Sequence, residues 1–118
     1  MTDPKNRRQY ARIKASIPLR FKKLDGNDYI ESSATTKDLS EGGAKFQIDK
    51  FISLSSRLII RLKFPLSPDP IKVVSKVAWI KKLPVDGIYE VGNHFLAMSK
   101  ADESALTAYL GQNSAKLT

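Results

Sequence analysis

The sequence predicts an all-β protein that ends in one helix: a six-stranded antiparallel β-barrel with a C-terminal α-helix. Three observations lead to this prediction. Apolar and polar residues alternate with the period of two that is typical of half-buried strands. Clusters of Pro, Gly and Asp divide this alternation into short segments, and helical spacing replaces it only after residue 98. Short strands at close spacing are typical of small barrels.

The first predicted strand, residues 13–22, shows the alternation most clearly. Its apolar positions are Ile13, Ala15, Ile17, Leu19 and Phe21. Because Pro18 has no backbone donor, we expect water or a bulge beside it. Five further strands are predicted at residues 29–37, 43–48, 57–64, 71–82 and 88–97.

Turns and a helix complete the predicted fold. We expect turns at residues 25–28, 38–42 and 84–87, where Gly, Asp, Asn and Pro collect. Ser99 and Asp102 fit a capping box in front of a helix. Its apolar residues are Leu106, Tyr109 and Leu110, and Gly111 is its predicted end. Trp79 is predicted to lie in the core because its strand is apolar.

Length and composition are those of a single soluble domain. The chain has 118 residues, of which 42% are hydrophobic, and it has no cysteine. Disulfides and thiolate metal sites are therefore excluded. We divide the chain into a flexible basic arm at residues 1–12, a barrel with its helix at 13–112, and a loose tail at 113–118. The absence of long apolar runs and of a secretory signal predicts a cytoplasmic protein with no membrane span.

The charge of the chain is unevenly distributed. Its formal net charge is +8, with Lys and Arg concentrated in residues 1–23 and 57–82. Acidic residues collect in 25–49 and 86–103 instead. This asymmetry predicts an anionic partner, and a nucleotide, a nucleic acid, an acidic protein surface and an anionic membrane are all compatible with it.

Two motifs together indicate a site for a purine attached to phosphate. Arg8 and Arg12 are four residues apart, with Arg7 beside them. An arginine side chain donates two parallel hydrogen bonds to guanine or to phosphate. A solvated, disordered basic arm is the alternative interpretation of these arginines.

The second motif is Asp38-Leu39-Ser40-Glu41-Gly42-Gly43. A carboxylate accepts from ring or exocyclic amines, and glycine lets a flat ring lie close to the backbone. An ordinary side-chain-to-backbone turn is the alternative interpretation. Gly92 inside the last strand indicates a bulge or a close approach. The single histidine, His94, supports neither a metal site nor a catalytic triad, and we predict a binding protein rather than an enzyme.

These residues resemble the PilZ domain family of bacterial receptors for cyclic di-GMP. Arg8 and Arg12 match its Arg-x-x-x-Arg motif, and Asp38, Ser40 and Gly43 match its Asp/Asn-x-Ser-x-x-Gly motif. A late Tyr-x-x-Gly-x-x-Phe pattern is also matched, at Tyr89, Gly92 and Phe95. The resemblance extends over about residues 7–110. At Asn93 the family usually has a small apolar residue.

The resemblance implies a ligand, cyclic di-GMP, and no separate cofactor. Arg8 and Arg12 would hold guanine edges and phosphates, Asp38 and Ser40 would contact a guanine, and Gly43 would leave room for its ring. The flanking Gly42 and the later Gly92 complete the expected binding residues. In this family a basic residue before the first motif arginine favours two ligand molecules per chain, and Arg7 occupies that position. An unidentified protein would receive the signal.

Two other functions remain open from the sequence. A small basic barrel would suit single-stranded nucleic acid, but most of the aromatic residues fall on apolar faces and not among exposed cations. Nucleic acid is therefore the less favoured partner. A PilZ-like adaptor that binds protein without any ligand is the other alternative, and the intact motifs argue against it.

Overall fold

The computed structural model describes residues 12–24, 31–65 and 67–115. These residues form seven strands and one helix. The strands are β1 (Ile13–Lys14), β2 (Pro18–Lys23), β3 (Ser32–Ser40), β4 (Gly43–Ile48), β5 (Arg57–Leu62), β6 (Ile71–Lys82) and β7 (Tyr89–Ala97), and the helix is α1 (Lys100–Ala115).

Six of the strands close into an antiparallel barrel. Their order is β3, β2, β5, β6, β7 and β4, and β4 pairs back onto β3. The short β1 is an additional strand that pairs with the C-terminal part of β3, where Ile13 lies opposite Leu39. The predicted fold class, a six-stranded barrel with a C-terminal helix, is confirmed.

The alternating pattern decides which side chains fill the barrel. On β5, Leu58, Ile60 and Leu62 are fully buried, while the residues between them face outwards. Phe21 of β2 and Phe46 of β4 meet across the core with ring centroids 5.6 Å apart. Burial of large apolar side chains of this kind contributes about 1.5–3 kcal/mol each.

The helix packs onto the barrel through one apolar stripe. Leu106 and Leu110 are buried, and Tyr109 stacks on Phe64 at 4.6 Å between ring centroids. Within the described part of the chain, no helix has both the length and the hydropathy of a membrane span.

Both ends of α1 differ in part from the prediction. Ser99 caps the helix as expected, since its Oγ accepts from the Asp102 amide at 3.1 Å. The Asp102 carboxylate instead accepts from the backbone N–H of Lys72 at 3.1 Å, which ties the helix to β6. The expected end at Gly111 is wrong, because α1 continues through Ala115. An exposed glycine costs a helix only about 1 kcal/mol, which does not stop it.

The single strand predicted at residues 13–22 is divided into β1 and β2 by a break before Pro18. The fully buried side chain of Thr36 bridges this break. Its Oγ1 accepts from the Ile17 amide at 2.8 Å and donates to the Ala15 carbonyl. The Thr36 amide also donates to the Ile17 carbonyl at 3.0 Å. One threonine therefore satisfies backbone groups that lack strand partners.

The predicted turn at residues 38–42 is too long. β3 runs on through Ser40, and only Glu41 and Gly42 form the turn before β4. Strand pairing persists because Leu39 lies opposite Ala44 and Ser40 opposite Gly43. Asp38 and Ser40 are thus strand residues held by the sheet.

Replacing Thr36 by valine tests the bridge at the β1–β2 break. The isosteric change leaves the buried Ile17 amide without its partner, so we expect the free energy of unfolding to fall by about 1–3 kcal/mol. Urea denaturation followed by circular dichroism measures this. Thr35→Val is the matched control, because Thr35 is exposed on the same strand, and its effect should stay within about 0.5 kcal/mol. Equal effects of the two changes would contradict the proposed bridge.

Candidate functional site

A cavity lies where the β3–β4 turn meets β6 and β7. Its volume is about 700 Å³. One wall comes from the turn and β4, another from β7, and the rest from β6 and from the residue that precedes β1. The lining residues are Arg12, Ser40, Gly42, Gly43, Ala44, Ala78, Trp79, Gly92, Asn93, His94 and Phe95.

An ion pair lies at the edge of this cavity. The Arg12 guanidinium is 3.0 Å from Oδ1 of Asp38, and Nζ of Lys45 is 3.3 Å from Oδ2 of the same carboxylate. The Arg12 side chain is 56% exposed and that of Asp38 only 11%. A nearly buried carboxylate is thus neutralised by two cations, of which Arg12 is the more exposed. Asp38 itself is not part of the cavity lining.

Ser40 has the turn-forming role that was the alternative interpretation of its motif. Its Oγ accepts from the Gly42 amide at 3.1 Å and donates to the Gly43 carbonyl at 3.4 Å. The Gly42 carbonyl accepts from the Phe95 amide at 2.9 Å, which fixes the turn against β7. Ser40 also lines the cavity, so one residue both holds the turn and forms part of the cavity wall.

Gly43 is required by the protein itself. A Cβ atom added there would lie 2.1 Å from the carbonyl oxygen of Asn93, which is backbone and cannot move away cheaply. Gly43 pairs with His94 across β4 and β7, at the point where the barrel closes. The glycine therefore permits both strand pairing and access to the cavity.

Trp79 is the functional candidate that the sequence analysis missed. It is 40% exposed, so its predicted place in the core is wrong. The indole lies over Gly92, where an added Cβ would be 2.2 Å from Nε1 and 2.3 Å from Cε2. A register shift between Val77 and Trp79 turns the tryptophan outwards. Gly92 was the feature of the sequence that indicated this position. A close approach to its backbone was predicted, and the Trp79 ring makes that approach.

β7 also contributes two polar residues to the cavity, beside Gly92 and Phe95. Asn93 is 5% exposed, and its Oδ1 accepts from the Ser75 hydroxyl at 3.3 Å. Its Nδ2 is buried with no hydrogen-bond partner among the described residues. Ser75 thus compensates in part for an amide at a position where an apolar residue was expected. His94 is exposed at the cavity wall.

The structure brings together most of the predicted site residues that it describes. Arg12, Ser40, Gly42, Gly43 and Gly92 all line one cavity. Arg7 and Arg8, like the rest of the predicted arm before Arg12, lie outside the described residues. Within the described ranges, no group of three His, Cys, Asp or Glu side chains is placed to hold a metal ion. An exposed guanidinium, a glycine-containing wall and an exposed indole fit a flat, anionic ligand.

Comparison with solved structures finds the same architecture. The inhibitor of motility MotI/DgrA from Bacillus subtilis matches with a TM-score of 0.75 and 18% identity, over 92% of this chain and 52% of that one. This chain therefore spans about half the length of that protein. The PilZ domain of YcgR from Escherichia coli, solved with c-di-GMP, matches with a TM-score of 0.69 and 20% identity over 94% of both chains.

MrkH from K. pneumonia, solved in its apo state, matches with a TM-score of 0.69 and 16% identity, over 99% of this chain and 53% of that one. At these identities the likeness establishes the fold. A search of the curated proteins finds no match to the sequence. The PilZ domain model, however, matches residues 6–112, which is most of the chain, and so the chain belongs to the PilZ domain family.

Proposed function

We propose that this protein is a receptor for cyclic di-GMP. The observation that carries the proposal is the meeting of Arg12 and Asp38, which are far apart in sequence, beside a cavity lined by a glycine-rich turn. The cavity volume of about 700 Å³ is typical of small-molecule sites. Family membership and the c-di-GMP bound to the related YcgR domain support the choice of ligand.

The ion pair provides a means of exchange. A ligand phosphate would draw the Arg12 guanidinium away from Asp38, replacing one charge-assisted contact by another. The Asp38 carboxylate would then accept from the N–H groups of a guanine, while Lys45 keeps it neutralised. Because a new contact with the ligand replaces each contact that is broken, little interaction energy is lost in the exchange.

The rest of the cavity suits a purine ring. Trp79 presents an exposed indole beside Gly92, and base stacking on an aromatic side chain contributes about 1–3 kcal/mol. Gly42 and Gly43 contribute no side chains to the wall formed by the turn and β4. Ser40 holds that wall in place, and its Oγ retains one lone pair that can accept from the ligand.

The N-terminal arm completes the proposed mechanism. Arg7 and Arg8 would add guanidinium groups to the phosphates and guanine edges, and residues 1–12 would close over the ligand. Like charges in the arm repel one another until a dianion binds among them. The ordered arm and barrel would form the surface that an unidentified protein recognises.

Replacing Arg12 by alanine tests the site. Loss of a charge-assisted hydrogen bond costs about 1.5–3 kcal/mol, so we expect cyclic di-GMP to bind about 10- to 100-fold more weakly. Isothermal titration calorimetry measures the change. Arg57→Ala is the matched control, since Arg57 is an exposed arginine that does not line the cavity. Unchanged affinity in Arg12→Ala would refute the assignment, and no heat from the parent protein would favour the ligand-independent adaptor.

Intrinsic fluorescence tests the stacking role of Trp79, because it is the chain's one tryptophan. We expect cyclic di-GMP to quench its emission, with a midpoint equal to the dissociation constant from calorimetry. Trp79→Leu should bind cyclic di-GMP at least about fivefold more weakly than the parent protein, since stacking on the indole is lost. Free N-acetyltryptophanamide, titrated in parallel, corrects for absorbance by the ligand. Constant emission at saturating ligand would show that the ring and the base do not meet.

The stoichiometry tests the proposed role of Arg7. We expect two cyclic di-GMP molecules per chain, and one in Arg7→Ala, because the second molecule needs the additional guanidinium. Calorimetry with an independently measured protein concentration gives both numbers. Lys5→Ala, which removes a charge from the same arm, should keep two. A ratio of one in the parent protein would exclude the paired ligand without affecting the Arg12 result.

A further inference from the structure

The outer surface of β2, β5 and β6 carries cations in two parallel rows. In the first row, Arg20 lies opposite Arg61, which lies opposite Lys72. In the second row, Arg57 lies opposite Lys76. We call these five residues and the apolar residues between the rows the basic face. Like charges directly opposite each other destabilise a sheet, so this arrangement costs the fold stability.

Among the described residues, few carboxylates compensate for these charges. Glu31 contacts both Arg61 and Arg20, the latter at 3.9 Å. Arg57, Lys72 and Lys76 make no ion pair within 4.0 Å with a described carboxylate. Asp102 lies near Lys72 but accepts from its backbone N–H. The cations of the second row, Arg57 and Lys76, are therefore available to an external anion.

An apolar strip separates the two rows. Ile59 of β5 lies opposite Val74 of β6, and both are half-buried with their side chains outwards. Ala97 of β7 continues this apolar line on one side, whereas Lys22 of β2, opposite Ile59, ends it with a cation on the other. Alternate residues of a strand are about 6.7 Å apart, so the rows of cations lie about 13 Å from each other. An α-helix with its side chains is about 10–12 Å wide.

We propose that the basic face binds an acidic amphipathic helix of a partner protein. Apolar side chains of that helix would pack on Ile59 and Val74, and carboxylates on its two flanks would reach the two rows. A nucleic acid fits less well, because the apolar side chains of Ile59 and Val74 offer no match to a phosphate and because Glu31 would repel one. This inference does not depend on the ligand proposed above.

A designed peptide provides the test, measured by fluorescence anisotropy with the full chain and without cyclic di-GMP. The peptide is a labelled amphipathic helix with leucine at its apolar positions and glutamate on both flanks. The same composition in scrambled order, and a 20-base-pair DNA duplex, are the comparison probes. We expect the ordered peptide to bind at least about tenfold more tightly than the scrambled one.

Matched variants locate the binding. Arg57→Gln with Lys72→Gln should weaken peptide binding about five- to tenfold, as expected for two exposed charge pairs. Lys81→Gln with Lys82→Gln changes the net charge equally at the exposed far end of β6 and should have little effect. Ile59→Thr should weaken binding of the ordered peptide and leave binding of the scrambled peptide unchanged. The proposal would be overturned if both peptides bound equally or if the two double variants had equal effects. Tighter binding of the DNA duplex, or no peptide binding at about 100 μM, would overturn it as well.

Discussion

The whole site depends on how the barrel closes at β4. This strand is hydrogen-bonded to β3 on one side and to β7 on the other, so the ends of distant segments are forced together. Closure brings the Gly43 backbone against the Asn93 carbonyl, an approach that leaves no room for a side chain. A larger residue would push β7 away and open the cavity wall. The contact between Gly43 and Asn93 that closes the barrel thus also shapes the site.

The electrostatics of the cavity edge follow from the same closure. Asp38 is nearly buried because β3 is paired on both sides, and a nearly buried carboxylate requires compensating charge. Lys45 comes from β4 and stays with the sheet, whereas Arg12 precedes β1 and is largely exposed. The carboxylate therefore has one half-buried cation and one largely exposed cation, and the proposed exchange uses this asymmetry.

Much of the fold could be predicted because period and turn chemistry are local. The strands β4, β5, β6 and β7 lie close to their predicted ranges, and Ser99 begins the helix as expected. Trp79 could not be placed, because the register shift that turns it outwards depends on pairing between β6 and β7. The role of Thr36 was equally invisible, since its partners lie on a segment far away in sequence. Of the site, the motif residues and Gly92 could be predicted from the sequence, while the contributions of Trp79, Asn93 and His94 required the three-dimensional structure.

The pairing of Lys76 with His94 places the end of the basic face next to the cavity wall. Two negatively charged molecules, one in the cavity and one on the face, would share a single region of positive potential. Repulsion between the two anions would make their binding antagonistic. Thermodynamic linkage then requires each to lower the affinity of the other by the same factor. Such coupling needs no displacement of the strands, so a rigid barrel is sufficient to transmit it.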